Sequence, residues 1–205
     1  MKIKLSVLIP VWNQEKLVIK ALDHLPRRDD MEVIVRDDGS TDNTLANLLR
    51  YKEENPDLNL QVFSNGENKG VAYTKNQMLK IAKGEYIHIH DSDDYVYTQE
   101  YNDIIDTLDG SDDIVYMDLE INSGEFFTLG EFTKAAYCAQ IARFLRREFV
   151  QGIEFIESIR AGDDRFYNDA CLSRDPVNRF THIPAYHYNF PREGSLFDQM
   201  TKGEI

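Results

Sequence analysis

Four short strings carry side chains able to do chemistry together. Asp91-Ser92-Asp93-Asp94 sets three carboxylates within four residues, and hard cations such as Mg²⁺ and Mn²⁺ take carboxylate oxygens, with substrate phosphates filling the remaining positions. It is not a calcium EF-hand loop, because the glycine required at position six would be Val96. A solvated acidic turn is the plainer alternative. Asp37-Asp38-Gly39-Ser40-Thr41-Asp42 has two readings. It can be a base-reading clamp, in which a carboxylate accepts a uracil imide N–H while the turn's amides stay free for ribose or phosphate, or an Asp-Gly turn followed by an Asp42 N-cap. A third loop, Asn65-Gly66-Glu67-Asn68-Lys69-Gly70, opens a helix in which Lys75 shares a stripe with Val71, Met78, Leu79 and Ala82. Its ammonium must snorkel to water or enter a crevice, where a diphosphate would be a natural partner. Downstream, Gly162-Asp163-Asp164 is a second acidic pair.

These strings need a scaffold that brings them to one edge. Apolar, β-branched runs at 5–10, 32–36, 59–63, 85–90 and 113–117 alternate with helical patterns at 14–25, 42–54, 70–83 and 98–108, with Asp42 and Thr98 as N-caps. That alternation predicts parallel βαβ units in an α/β domain with a mostly parallel, Rossmann-like sheet flanked by helices. Ligands in such sheets sit beyond the carboxyl ends of the strands, where all of the first-half loops fall. After residue 121 the pattern changes. A hairpin is predicted over 120–129 around Asn122-Ser123-Gly124, a helix over 132–149, a shorter helix over 153–159, and a late strand through Tyr186-His187-Tyr188. With no repeat or linker, the chain reads as one domain, with 119–205 a smaller extension of 1–118.

Composition limits the partners. The 205 residues carry a formal net charge of −13, which argues against a nucleic-acid surface. At 42% hydrophobic and 29% charged, without an apolar run near the roughly 20 residues of a membrane span, the chain is expected to lack a transmembrane segment and to be cytoplasmic. Cys138 and Cys171 lie in no metal or redox spacing and are expected as reduced thiols.

The ordered set Ser6-Val7-Leu8-Ile9-Pro10-Val11-Trp12-Asn13, Asp37 through Asp42, Asn68-Lys69-Gly70, Ala82 through Ile87 and Asp91 through Asp94 resembles the family 2 inverting glycosyltransferases of GT-A fold. The resemblance implies a nucleotide-sugar donor, a UDP-sugar, bound by 1–118, a saccharide or glycan acceptor met by 119–205, which carries the base, and Mn²⁺ or Mg²⁺ as cofactor. It implies Pro10, Val11 and Asn13 beside the base, with Trp12 replacing the family's tyrosine, and Asp38 at the base. Asn68, Gly70, Ser92 and Lys75 fall on the donor side. Asp91 is implied near ribose and metal, and Asp93 as main ligand. The family's usual arginine before the helix asparagine is Lys75 here, which keeps charge but loses the bidentate fork. The second acidic motif, normally Glu-Asp, maps to Asp163-Asp164, with Asp164 as the base. His187 is implied as a further metal ligand and Arg192 as a phosphate contact.

Two other functions compete with this reading. A nucleotidyltransferase would begin with a glycine-rich phosphate loop, and residues 4–13 contain no glycine. A non-catalytic nucleotide-sugar-binding module shares the same loops and is separated only by turnover.

Overall fold

The computed structural model describes residues 2–128, 141–159 and 163–191. Along the chain run β1 (Leu5–Val11), α1 (Leu17–Asp23), β2 (Met31–Asp37), α2 (Thr44–Glu54), β3 (Leu60–Ser64), α3 (Val71–Ile81), β4 (Tyr86–Ile89), β5 (Tyr95–Val96), α4 (Thr98–Asp106), β6 (Ile114–Ile121), β7 (Phe126–Phe127), β8 (Arg143–Arg146), α5 (Asp163–Leu172) and β9 (Asn178–Tyr188). They build one nine-stranded sheet in the order β3-β2-β1-β4-β8-β6-β9-β5, with β7 paired to β6. The block β3-β2-β1-β4 is parallel, as the alternating pattern predicts. Every residue of β1 and β4 is buried, which explains why these strands read as continuous apolar runs.

Register at the amino end of this block is held by a buried carboxylate. Glu32 accepts from Ser6 Oγ at 2.6 Å, the Lys83 amide at 2.7 Å and Gln61 Nε2 at 2.9 Å, so one side chain ties β1, β2, β3 and the approach to β4. Gly84 is required in that approach, since a Cβ there would lie 2.4 Å from the Ser6 nitrogen. With register fixed here, the opposite ends of β1, β2 and β3 finish level: Val11 pairs with Asp37, and Asp37 with Ser64.

The second half departs from the sequence expectation in identifiable ways. Of the helix predicted over 132–149, residues 132–140 lie outside the described residues and Arg143–Arg146 form β8, antiparallel to both β4 and β6. Residues 141–145 are all buried, Arg143 included, and a short, mainly apolar run fits a buried strand as well as a helix by periodicity alone. Residues 153–159 form no helix, because the Phe155 backbone is hydrogen-bonded by the Asn76 side chain at 2.8 and 3.0 Å. Asp163 and Asp164 instead begin α5. The hairpin is present, with Leu119 opposite Phe127 and Gly124 at φ 79° in its turn. α1 is shorter than predicted at both ends. Thr98 is the first helical residue, its hydroxyl donating to the His24 carbonyl at 2.7 Å. Asp42 sits two residues before α2 and accepts from the Thr44 amide at 3.0 Å. No described helix is long and apolar enough to cross a membrane.

His88, at the centre of β4, lies between the Tyr101 hydroxyl and the Ile141 carbonyl, each at 2.5 Å. Full burial holds its pKa down to about 3, and that of His90 to about 4. Both rings are therefore neutral in the fold, while below about pH 6.5 an unfolded chain protonates them. Stability should fall as pH drops from about 6.5 toward these depressed values, by up to about 1.4 kcal/mol per pH unit for each histidine. Denaturant unfolding of wild type and His88→Asn between pH 6.5 and 4.5 checks this: the variant should lose about one proton of that slope, and parallel profiles would show that His88 is not buried neutral.

Candidate active site

Three loops at the carboxyl ends of β1, β2 and β3 are sewn into one surface. The Asp38 amide donates to the Val11 carbonyl at 2.8 Å, and the Asn13 amide to Ser40 Oγ at 2.9 Å. Asn13 Oδ1 accepts from the Thr41 amide at 2.8 Å. Asn13 reaches this bridge from a left-handed backbone, φ 52°, a conformation asparagine tolerates well. Pro10 and Val11 are buried behind the bridge, while Trp12 projects with 51% exposure.

Both carboxylates of the Asp-Asp-Gly turn face inward. Asp37 accepts from Ser64 Oγ at 3.2 Å and the Ser40 amide at 3.3 Å. Asp38 accepts from Asn65 Nδ2 at 2.8 Å and from the Lys69 and Gly70 amides at 2.9 Å each. Those amides precede α3, where Gly70 turns at φ 93°, so Asp38 anchors the third loop to the second; Asn68 stays exposed above the junction. The turn's own amides at Asp38, Ser40 and Thr41 are all engaged, which corrects the expectation that they stay free for a ligand. Gly39 lies against this junction at φ 70°, and a Cβ would meet the Glu67 carbonyl carbon at 2.4 Å.

The acidic turn after β4 gathers charge. Asp91, Asp93 and Asp94 each bring a carboxylate oxygen within 4.8 Å of the others, the one grouping of metal-ligating type among the described residues. Asp94 is 1% exposed, accepting from Tyr186 Oη at 2.7 Å and the Asn189 amide at 2.8 Å. Burial, with the charges of Asp91 and Asp93, pushes its carboxyl well above the usual range. Asp91 and Asp93 are half-buried and Ser92 is buried. Like charges held this close favour a cation, and all-oxygen donors suit Mg²⁺ or Mn²⁺. His187 stacks on Tyr95 at 4.3 Å, and its ring nitrogens face Asn122 Oδ1 at 3.0 Å and Glu120 at 4.0 Å, so it is not part of the carboxylate group. Arg192 lies outside the described residues.

Lys75 does not snorkel. At 4% exposure, its ammonium donates to Asp164 Oδ1 at 2.6 Å and stands 4.8 Å over the Phe155 ring. Phe155 stacks flat on Tyr167 of α5 at 4.1 Å, and its backbone is gripped by Asn76. The structure thus brings Lys75 and Asp164 together across 89 residues of sequence, with Asp163 one position earlier at the start of α5. Asp94, Tyr186, Asn189, Asn76 and Phe155 escaped the sequence reading as site-building residues. Asp94 and Tyr186 lay inside strings already singled out and Asn76 beside Lys75, while Asn189 and Phe155 carried no local signal.

Comparison with known proteins places this geometry. Residues 6–172 match the model of the family described as Glycosyl transferase family 2. The poly(ribitol-phosphate) beta-N-acetylglucosaminyltransferase TarS of Staphylococcus aureus is 28% identical over 211 residues, spanning 93% of this chain and 36% of TarS. The crystal structure of S. aureus TarS 1-349 in complex with UDP-GlcNAc aligns at a TM-score of 0.80 and 25% identity, over 94% of this chain and 60% of that one. The mannosyltransferase PcManGT from Pyrobaculum calidifontis, in complex with GDP-Man and Mn²⁺, aligns at a TM-score of 0.71 and 21% identity over 95% and 59%, a likeness of fold. The chain spans about a third of TarS, and the matched stretch runs from β1 to the last residue of α5. Loops, acidic turn and family model coincide on the same residues, and the chain belongs to glycosyl transferase family 2.

Proposed function

We propose that the chain transfers a sugar with inversion from a nucleoside diphosphate donor, a UDP-sugar, to a saccharide or glycan acceptor, assisted by Mn²⁺ or Mg²⁺ and acting in the cytoplasm. The observation that carries the reading is the Asp91, Asp93 and Asp94 carboxylate group beside the loops of a family 2 domain. In this reading Asp93, with Asp91, holds the cation, Asp94 braces the turn against β9, and His187 reaches the cation only by leaving Asn122. A bound cation supplies charge stabilisation at the leaving diphosphate. Pro10, Val11, Asn13 and Trp12 make the floor for the base. Asp38 has three donors on a carboxylate with about four acceptor sites, which leaves one for an imide N–H. Asn68, Gly70 and Ser92 border the ribose and phosphates, and Arg192 closes on the diphosphate from the tail.

Inversion requires attack from the face opposite the leaving group. The acceptor hydroxyl forms the new bond to the anomeric carbon as the bond to the diphosphate breaks, the electron pair leaves with the diphosphate, and the proton passes to Asp164. Lys75 aims that carboxylate, and Asp163 stands beside it at the start of α5. The TarS structure with bound UDP-GlcNAc supports the donor assignment, and the mannosyltransferase of like fold with bound Mn²⁺ supports the cation. The buried free thiol of Cys171 fits a reducing compartment.

UDP and Mn²⁺ together should raise the melting temperature by more than the sum of their separate shifts, because diphosphate and carboxylates complete one coordination shell. Asp93→Asn should abolish that synergy with the ligand-free melting temperature unchanged; a persisting synergy removes Asp93 as principal ligand. Asp164→Asn should cut transfer by about 10²–10⁴-fold, with UDP affinity in Mn²⁺ retained by calorimetry. A fully active Asp164→Asn beside an inactive Asp163→Asn would move the base by one residue, and activity in both would place it elsewhere. Wild-type binding of UDP without hydrolysis or transfer would identify a non-catalytic module.

A further inference from the structure

Beneath α5 lies a charge that the transfer reading leaves unused. Arg143 of β8 is 1% exposed and ranks among the largest fully buried side chains. One guanidinium nitrogen donates to Asn168 Oδ1 on α5, while Nε has no hydrogen-bond partner among the described residues. None of the ion pairs among the described residues includes it. Its surroundings are Tyr116, which faces it in register across β6, and Tyr167 and Cys171 of α5. Burial pushes the hydroxyls and the thiol of these three upward, and the guanidinium opposes each shift. The Tyr167 hydroxyl is likewise buried without a partner.

A guanidinium kept from water without a carboxylate costs several kcal/mol, and apolar residues of similar volume often replace buried charges with no loss of stability. Stability is therefore a poor reason for an arginine here. Direction is a better one, because the planar guanidinium bonds along set axes. Its acceptor, Asn168, lies four residues after Asp164, one helical turn along the same face of α5. Rotating or lifting α5 enough to break the Arg143 bond would swing Asp164 away from Lys75. The flat Phe155–Tyr167 stack carries no directional hydrogen bond, whereas the Arg143–Asn168 contact does.

We propose that Arg143 is a positioning residue: through Asn168 it fixes the rotation and depth of α5, and so the direction of the Asp164 carboxylate. Its catalytic consequence rests on the transfer reading above, while its effect on the helix does not. The test uses Arg143→Met, which fills the space without charge, and Arg143→Lys, which keeps charge without the fork and carries the test if the first variant does not fold. Arg143→Met should melt at or above the wild-type temperature and bind UDP in Mn²⁺ within about twofold. Amide hydrogen exchange over residues 163–172 should quicken by about tenfold or more in both variants. Transfer should fall by about 10²-fold in kcat with KM for the donor little changed. Unchanged exchange in α5, or kcat falling only in step with melting temperature and UDP affinity, overturns the proposal. If wild-type protein shows no transfer, the transfer reading fails and exchange over α5 alone settles the role of Arg143.

Discussion

A lysine ammonium at 4% exposure has to be neutralised within the fold, and the carboxylate that the structure gives Lys75 is Asp164, 89 residues away. That contact, with the bonds of Tyr186 and Asn189 to Asp94, joins the two halves of the chain at the working edge. The Phe155 ring lies under the ammonium and against Tyr167 of α5, in a stretch that forms no helix. Asn76, the next residue in α3, then grips the Phe155 backbone, so one turn of α3 supplies both the charge and the clamp.

The carboxyl edge shows how one residue type takes different roles according to the donors around it. Asp37 and Asp38 are buried, but amide and hydroxyl donors meet them, and they act as fasteners between loops. Asp94 is fastened in the same way, by Tyr186 and Asn189. Asp91 and Asp93 stay half-buried beside it, with their charges crowding one another. A net charge of −13 is thus partly spent on structure at the amino end, through Glu32, and partly concentrated at the edge where a cation would relieve it.

Departures from the sequence expectation, most of them in the second half, share a common reason. The mainly apolar run at 141–145 is as compatible with a helix as with a strand; only a free slot between β4 and β6 makes it β8. Residues 153–159 have helical spacing, yet a distant amide outcompetes the local hydrogen bonds. Thr98 looks like a cap, but its hydroxyl is drawn to His24, far back in the chain.

By itself the sequence determined the α/β alternation, the parallel first block and the positions of the acidic and glycine-bearing loops. Those features follow from periods of hydrophobicity and from turn chemistry, which act over a few residues. Tertiary structure alone decided which carboxylates became fasteners and which remained half-buried, that Lys75 points inward to Asp164, that Tyr186 and Asn189 brace the acidic turn, and that a buried arginine meets Asn168 of α5. These depend on which donors arrive from elements tens of residues apart, and on burial, which turns an ordinary side chain into one that must find a partner. No local pattern encodes either.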